Sequence, residues 1–331
     1  MLTPERIYRY RTLDDRFCDD EQSFFEREID AIENSYLYAA SFKSMNDPME
    51  AFYLVGNEGD QLVDKLIGGK INILSKFEEI ISTTIDKLGL ISFSSSHLEY
   101  PLWAYYAGNF SGICLEFDSS LLCMGDFRDE SLKCVNYSSL PLPPISFSEF
   151  NIDAKDTALS RLTIKREEWA HEKEWRYVTG RVGKKYYSDN ALARIFLGPR
   201  IASKHAEIIR NIVKNRDVEV VQLSVSGFNL TESTFKKETA NNILDRVGSG
   251  RFNFDEATFT IIDDLKSLLG SNYHKFVFVC RNLTRESNME CFYDIYISKD
   301  KTIKVGIAYK LRNGREYFRW NQYDSKANLM V

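Results

Sequence analysis

The sequence predicts an α+β protein, in which mixed sheets of short strands carry flanking helices and a C-terminal helix precedes an antiparallel meander. Two observations support this class. Between residues 8 and 223, strand and helix patterns alternate without the regular strand–helix–strand rhythm that a parallel sheet requires. Near the C-terminus, three or four strand patterns follow one another across short polar turns, as in a meander.

Local periodicity predicts the elements of the first part of the chain. Strands are expected at residues 8–12, 36–42, 90–94, 112–117, 132–137, 174–178, 193–197 and 218–223. Helices are expected at residues 21–34, at one or two places within 61–88, and at 98–107, 155–169 and 203–216. Asn46-Asp47-Pro48 predicts a turn, because the proline ring fixes its own φ and restricts the residue before it.

The composition changes after residue 223. Residues 224–254 are polar and rich in Ser, Thr, Asn and Gly, which is typical of a linker. An amphipathic helix is expected at 256–269, and strands are expected at 275–281, 290–297, 302–310 and 316–321. The sequence therefore predicts two domains, residues 1–235 and a small α+β accessory domain of residues 236–331.

The composition is that of an ordinary globular protein, with 44% hydrophobic and 27% charged residues among 331. A formal net charge of −5 disfavours binding to nucleic acid through charge alone. The six cysteines include no Cys-x-x-Cys pair, and with only four histidines no zinc-site pattern is present. Because the sequence shows neither a signal-peptide core nor an apolar run near the roughly 20 residues that span a bilayer, we expect a cytoplasmic protein with reduced thiols and no membrane partner.

The standard phosphate-loop, dinucleotide-binding and zinc-protease motifs are absent, so candidate chemistry depends on a few polar clusters. In the first cluster, Tyr8-Arg9-Tyr10-Arg11, a strand would direct both arginines to one side and both tyrosines to the other. Guanidinium groups bind phosphate through planar paired hydrogen bonds, whereas the alternative is an edge strand with solvated arginines. In the second, Ser92 and Ser94-Ser95-Ser96, hydroxyls at a strand end either hold a ligand's ribose or carboxamide or cap the following helix.

The third cluster is Glu172-Lys173-Glu174. If the strand begins near Glu172, both glutamates lie on one face of it, and two neighbouring carboxylates resist joint ionisation. Such carboxylates can bind a ribose hydroxyl and stabilise positive charge that develops on a sugar. The alternative is a solvated strand edge, with the glutamates paired to Lys173 or Arg176.

An aromatic segment lies between the second and third clusters. Tyr105 or Tyr106 can stack on a planar ring, although buried packing is the ordinary role of such side chains. Trp103 and Trp175 sit among apolar neighbours and are expected in the core.

The clusters fall within a larger set of segments: residues 8–11, 42–50, 91–94, 102–117 and 165–176, followed by Leu197-Gly198. In this order the segments resemble a bacterial family known as domain of unknown function 2971, over about residues 6–225. That family implies no activity. It often has histidine where this chain has Tyr105, so no role that requires an imidazole is expected there.

A second resemblance concerns activity. An arginine, then Ser-x-Ser at a strand end, then Glu-x-Glu is similar to the pattern of arginine-type ADP-ribosyltransferases, although Ser95 replaces a threonine and no glycine follows Arg11. The resemblance implies that Arg11 holds the phosphates of NAD, that Ser94 organises the nicotinamide pocket and that Glu174 binds the nicotinamide ribose. The residues expected to bind NAD are Arg9, Arg11, Ser94, Ser96, Tyr105 and Tyr106, and the expected catalytic residues are Glu174 and, toward the acceptor, Glu172.

That resemblance implies an enzyme that transfers ADP-ribose from NAD to a protein or nucleic-acid acceptor, as a bacterial toxin or antiviral defence effector would. Residues 1–235 would hold the NAD site, and residues 236–331 would select the target or bind a neutralising or sensor partner. Two other classes stay open: a binding module in which the glutamates and arginines form a structural ion-pair network, and a nuclease with Glu172, Glu174 and Asp47 as metal ligands. The nuclease is least favoured, because the sequence offers no clear place for a catalytic lysine. Convergence of Arg11, Ser94 and Glu174 on one cleft would favour the first class.

Overall fold

A computed structural model describes residues 3–15, 23–45, 54–67, 73–122, 131–146, 154–187, 189–214, 216–234, 261–284, 289–310, 314 and 316–330. The strands are β1 (Arg6–Arg11), β2 (Tyr36–Ser41), β3 (Gly89–Ser94), β4 (Ile113–Asp118), β5 (Ser131–Cys134), β6 (Asn136–Ser138), β7 (Ile164–Arg166), β8 (Glu174–Thr179), β9 (Gly183–Tyr186), β10 (Leu192–Leu197), β11 (Glu219–Ser226), β12 (Asn229–Thr234), β13 (Met289–Ile297), β14 (Ile303–Lys310), β15 (Glu316–Tyr323) and β16 (Leu329–Met330). The helices are α1 (Phe24–Glu33), α2 (Glu58–Ile67), α3 (Ile73–Lys87), α4 (Tyr100–Tyr105), α5 (Ser119–Leu122), α6 (Ala154–Leu162), α7 (Ser203–Val213), α8 (Ile262–Leu269) and α9 (Tyr273–Leu283). Helices and mixed sheets confirm the predicted α+β class.

The largest sheet runs in the order β12-β11-β10-β4-β1-β3-β2-β9, and β8 joins β3 while β5 joins β8. Its described strand pairs are antiparallel except for β10 with β11, which are parallel. A parallel pair needs a long crossover connection, and α7 provides it. Ala206, Ile209 and Val213 of α7 pack into the main core, so that the helix covers one face of the sheet.

The central strand β1 distributes its side chains between two cores. Ile7 belongs to the main core beneath the sheet, whereas Tyr8 and Tyr10 pack in a second cluster against α4. Because side chains alternate along a strand, Arg9 and Arg11 lie on the opposite side from the two tyrosines.

Helix α1 begins where its sequence provides a reciprocal cap. The Ser23 hydroxyl accepts from the Glu26 backbone N–H at 3.0 Å, and the Glu26 carboxylate accepts from the Ser23 N–H at 3.3 Å. Ile32 faces the main core, and Glu28 on the same helix is buried beside β1. The cap therefore fixes the helix that carries a carboxylate toward Arg11.

The two predicted core tryptophans are buried, as the sequence indicates. Trp103 of α4 donates its indole N–H to the His97 carbonyl oxygen at 2.8 Å and meets the Tyr10 ring edge-on at 5.4 Å between centroids. Trp175 of β8 packs in the main core. Trp103 therefore holds α4 against β1, and Trp175 holds β8 in the main core.

The predicted helix over residues 155–169 is wrong in its second half. Helix α6 ends at Leu162, and β7 follows at once, pairing parallel with β6. A 3₁₀ turn over Glu167–Glu172 then leads into β8, which begins at Glu174. Strand β8 begins at Glu174, as predicted, so Glu172 precedes the strand and the two glutamates do not share a strand face.

Two other predictions need correction. Part of the predicted linker is a β-hairpin, in which β11 runs on to Ser226, turns at Gly227 and pairs with β12. This segment is polar because β12 is the exposed edge of the sheet. The predicted strand at 275–281 is helix α9, since Phe276, Val277 and Cys280 lie on one buried helical face. Strand β9 was not predicted at all.

The C-terminal sheet has the predicted antiparallel meander, in the order β13-β14-β15-β16. Its inner face and helices α8 and α9 form a hydrophobic cluster of their own. The domain boundary expected near residue 236 and the turn at Asn46-Asp47-Pro48 lie outside the described residues, so both stay predictions. Within the described residues, no helix has the length and apolar character needed to cross a bilayer, and Cys114, Cys134, Cys280 and Cys291 are free thiols.

Candidate functional site

Three neighbouring antiparallel strands, β1, β3 and β8, position the candidate residues. Tyr8 of β1 stands opposite Ser94 of β3, and Ser94 stands opposite Glu174 of β8. Among the described residues, β1 and β3 share this single register pair. Beyond it, the Arg9 side chain donates from Nη1 to the Ser92 carbonyl oxygen at 3.1 Å. A cleft lies where the two strands separate.

The cleft has a volume of about 190 Å³. Six of the eight residues predicted to function there line it: Arg9, Arg11, Ser94, Tyr106, Glu172 and Glu174. Complete small-molecule pockets commonly measure about 300–1,000 Å³, so this volume suits one part of a ligand the size of a dinucleotide.

The other two predicted residues, Ser96 and Tyr105, do not line the described cleft. Tyr105 is 70% exposed. The Ser96 hydroxyl accepts from the Leu98 N–H at 3.3 Å, and the Ser94 hydroxyl accepts from the Ser96 N–H at 3.2 Å. No side chain caps α4, so these serines order the turn before that helix rather than its first N–H groups.

Glu174 is buried and tightly bound by Arg176. Arg176 donates from Nε to Oε1 at 2.8 Å and from Nη2 to Oε2 at 2.9 Å, while Lys165 Nζ lies 3.3 Å from Oε2. Burial by itself raises the pKa of Glu174, but the attraction of Arg176, aided by Lys165 and Ser92, outweighs it and lowers that pKa. Glu174 therefore has the lower pKa of the two glutamates.

Glu172 has weaker charge compensation. The Tyr106 hydroxyl donates to its Oε1 at 2.7 Å, and Lys165 Nζ donates to its Oε2 at 2.6 Å. Burial raises the pKa of Glu172, the charge of Glu174 raises it further, and Lys165 offsets only part of the increase. Two carboxylates whose pKa values are pushed apart are typical of an acid–base pair.

The backbone at Lys173 explains how Glu172 and Glu174 both contact Lys165, although only Glu174 is on a strand. This backbone is left-handed, with φ 47° and ψ 47°, a conformation that costs a residue with a Cβ roughly 1–2 kcal/mol. The side chain of Lys173 points away and binds Glu99 Oε1 at 2.6 Å. Strain held beside a charged cleft is a feature of functional sites.

Lys165 is a central residue of the cleft that the sequence analysis did not identify. The predicted helix placed it on a helix face, whereas the β-branched pair Thr163-Ile164 is a signal for the strand that carries it. It supplies the lysine whose absence disfavoured the nuclease hypothesis. The third proposed metal ligand, Asp47, lies outside the described residues, and within them no three His, Cys, Asp or Glu side chains are grouped to hold a metal.

The two arginines make one side of the cleft basic. Arg11 donates from Nε to Glu28 Oε1 at 2.6 Å, and its Nη2 also contacts that carboxylate. Burial alone lowers the pKa of Arg11, but Glu28 reverses this and raises it. For Arg9, burial lowers the pKa and repulsion from Arg11 adds to the effect. An anion placed between the guanidinium groups would relieve that repulsion.

The fold and the cleft define an α+β protein with charged and polar side chains from three adjacent strands converging on a small ligand site. The profile of a family described as a protein of unknown function (DUF2971) matches residues 102–177, which lie within the part of the chain whose sequence resembles that family. The matched segment carries Tyr106, Lys165, Glu172 and Glu174. No curated protein and no solved structure matches the chain.

Proposed function

We propose that this protein is an NAD-dependent ADP-ribosyltransferase, which moves ADP-ribose from NAD to a protein or nucleic-acid acceptor. The observation that carries the proposal is the convergence of Arg11, Ser94 and Glu174 on one cleft, from three adjacent strands and in the chain order of that enzyme class. We further propose that it acts in the bacterial cytoplasm as a toxin or antiviral effector, with residues 236–331 selecting the target or binding a controlling partner.

The basic side of the cleft suits the anionic part of NAD. Arg9 and Arg11 provide planar donors for a pyrophosphate, and repulsion between them favours a bound anion. Ser94 lies between this side and Glu174, where it would organise the nicotinamide pocket while Glu174 binds the nicotinamide ribose. The residues present therefore fit the substrate.

The glutamates divide the chemistry between them. Glu174 is ionised and faces positive charge that develops on the ribose as its bond to nicotinamide breaks and the bonding electrons leave with nicotinamide. The acceptor then bonds to the same ribose carbon and loses a proton. Glu172, with its raised pKa, is suited to take that proton once it is itself ionised.

A second candidate is a non-enzymatic binding module, and one observation favours it. Glu174 is bound at both oxygens by Arg176 and approached by Lys165, so most of its charge is already compensated. A carboxylate neutralised in this way stabilises a new positive charge less than a free one does. The cluster would then be a structural ion-pair network beside an anion-binding cleft.

The test is release of nicotinamide from labelled NAD by the purified full-length chain, with and without a bacterial lysate as acceptor. Glu174→Gln should lower release at least about 100-fold, because it removes charge that acts on the transition state. Arg11→Lys should mainly raise KM, since an ammonium group cannot reproduce the planar fork. In cells, induced wild-type protein should arrest growth and Glu174→Gln should not.

Two control variants keep the same chemistry outside the cleft. Arg6→Lys changes an arginine of the same strand that pairs with Asp118 at 3.2 Å, and Glu168→Gln changes an exposed carboxylate of the same 3₁₀ turn as Glu172. Both should keep wild-type turnover. If the wild-type chain neither binds nor consumes NAD, the transferase proposal is wrong; binding without consumption selects the binding module.

A further inference from the structure

Four aromatic side chains form a continuous exposed group on the outer face of the C-terminal sheet, which we call the aromatic platform. Its members are Tyr293, Tyr296, Phe318 and Trp320. Ring centroids are 5.0 Å apart for Tyr293 and Phe318, 5.1 Å for Tyr293 and Trp320, and 5.6 Å for Tyr296 and Trp320. Each residue stays between 39% and 47% exposed, so their mutual packing leaves much of the aromatic surface in water.

The backbone of β14 supports the platform from below. A Cβ atom at Gly306 would lie 2.7 Å from the Tyr293 ring and 3.1 Å from Trp320, so the rings rest directly on the strand. The opposite face of the same strand is core, where Val305 and Ile307 pack with Phe276 of α9. The sheet therefore has one face buried by helices and one aromatic face without a covering element among the described residues.

Cross-strand packing explains only part of this arrangement. An aromatic pair on neighbouring strands stabilises a sheet by itself. Four large rings in one exposed group go beyond what pairing requires, because their apolar surface stays in contact with water. Exposed apolar groups of this kind mark binding surfaces.

The charge of the C-terminal region indicates the kind of partner. Residues 261–331 contain 12 Lys and Arg against 8 Asp and Glu, whereas the whole chain contains 43 against 48. Residues 261–331 therefore carry a basic excess although the whole chain is acidic. This excess favours a polyanion as the partner of the C-terminal region.

Charged residues on the platform itself are mixed. Lys304 lies in register between Tyr296 and Gln322, and Lys310 stands opposite Glu316 at the other end of the strand pair. Asp294 stands in register with Gly306 beneath the rings. Contacts with phosphate are therefore few, and stacking on the rings must provide most of the affinity.

We propose that the aromatic platform binds single-stranded nucleic acid, with unpaired bases stacked on its rings and the phosphate backbone beside Lys304. Every base has a π face, so this mode of binding tolerates many sequences. In a duplex these faces are covered by neighbouring base pairs, so the platform selects single strands. The proposal is independent of the NAD chemistry, because it depends on a different sheet.

The test is fluorescence anisotropy of the full chain, without NAD, using a labelled single strand of about 12 nucleotides as RNA and as DNA, and the matching duplexes. The wild-type chain should bind the single strands at least about 10-fold more tightly than the duplexes. Trp320→Ala should weaken binding at least about 5-fold, the smaller end of what one stacked base contributes. Trp320→Phe should retain most of the affinity. The matched control is Phe278→Ala, which removes a 62% exposed ring from α9, the helix on the opposite face.

Tryptophan fluorescence gives a second measurement that does not depend on how the alanine variant folds. Binding should quench the wild-type emission, and the quenching should be smaller in Trp320→Phe although that variant still binds. Equal affinity for single strands and duplexes, or equal affinity of the wild-type chain and Trp320→Ala, overturns the proposal. A third outcome also overturns the proposal: the wild-type chain is a dimer, it binds no oligonucleotide, and Trp320→Ala is a monomer. A second copy of the chain would then cover the platform.

Discussion

Replacing Glu174 by glutamine should destabilise this protein severely, even though the two side chains have nearly the same shape. The carboxylate is buried, and it accepts two hydrogen bonds from Arg176, whose side chain is fully buried. Glutamine offers only one acceptor atom and turns an amide N–H₂ toward the remaining donors. Arg176 would lose the carboxylate that accepts from its Nε and Nη2 and would keep its charge in the core.

The size of the expected loss in stability follows from the cost of leaving one member of a buried ion pair without the other. Removing one partner typically costs about 3–5 kcal/mol. For a domain of about 150–250 residues each kcal/mol lowers Tm by roughly 2–4 °C, so we expect a fall of about 6–20 °C. Glu172→Gln should cost only about 1 kcal/mol, because its carbonyl oxygen can still accept from Tyr106 and Lys165 keeps Glu174 as a partner.

A double variant separates stability from chemistry. Glu174→Leu combined with Arg176→Met replaces the ion pair by apolar groups, which is often close to neutral for a buried pair. One cost remains. The Leu162 carbonyl oxygen loses the hydrogen bond that it accepts from Arg176 Nη1 at 2.7 Å, which lowers the free energy of unfolding by about 1–3 kcal/mol. Urea unfolding should therefore show the double variant more stable than Glu174→Gln.

The same double variant separates a catalytic role of Glu174 from a structural one. If Glu174 acts on the transition state, the double variant recovers stability but not NAD consumption. A Glu174→Gln protein that loses less than about 1 kcal/mol would refute the stability reasoning, because it would mean that Arg176 finds another counter-ion. The activity measurement can then be compared directly with Glu168→Gln, since both proteins are stable.

Two further predictions concern Glu172 and the domain boundary. Because burial raises the pKa of Glu172, the folded protein holds the proton of this carboxyl more tightly than the unfolded chain does. The protonated carboxyl therefore contributes to stability at low pH. This contribution is lost as the pH rises from the ordinary pKa of 4.5 through the raised pKa of the folded state. In urea unfolding, wild-type stability relative to Glu172→Gln should be greater at pH 4 than at pH 7, and Glu168→Gln should not show that loss; a difference that grows with pH contradicts the assignment. Limited proteolysis should cut between residues 235 and 254, where the sequence is polar, and leave two folded fragments; a cut that unfolds both pieces would disprove the boundary.

The strands around the cleft could be predicted because their signals are local. Tyrosine and arginine alternate along β1, and the serines after β3 mark its end. A pattern with a period of two residues can be recognised in the sequence without knowing which strands lie beside it. The order of these strands in the sheet has no such local signal.

The errors have tertiary causes. Residues 275–281 contain Phe and Val, which favour strands, yet Phe276, Val277 and Cys280 also share one helical face. Packing against the C-terminal sheet decides in favour of the helix. Strand β12 is polar because it is the edge strand of the sheet. In the sequence alone, a polar segment of this kind is typical of a linker.

The site could be predicted only as a set of residue types. Three motifs far apart in sequence indicated Arg11, Ser94 and Glu174, and the structure brings these into one cleft. Their charged partners Glu28, Lys165 and Arg176 are chosen by the packing of α1, β7 and β8. Because a partner sets the pKa of each group, the chemistry of the cleft depends on contacts that no sequence motif contains.

The charge balance of the cleft limits what it can bind under either candidate function. Arg9, Arg11, Lys165 and Arg176 face Glu28, Glu172 and Glu174, so four basic groups stand against three acidic ones. The described groups of the cleft therefore carry a positive excess within a chain whose net charge is −5. An anionic ligand is stabilised there and a cationic ligand is repelled. Both effects are strongest beside Arg9 and Arg11, because only Arg11 is paired with Glu28. The two candidate functions thus agree on a phosphate-bearing ligand and differ only in whether Glu174 meets a charge that changes during a reaction.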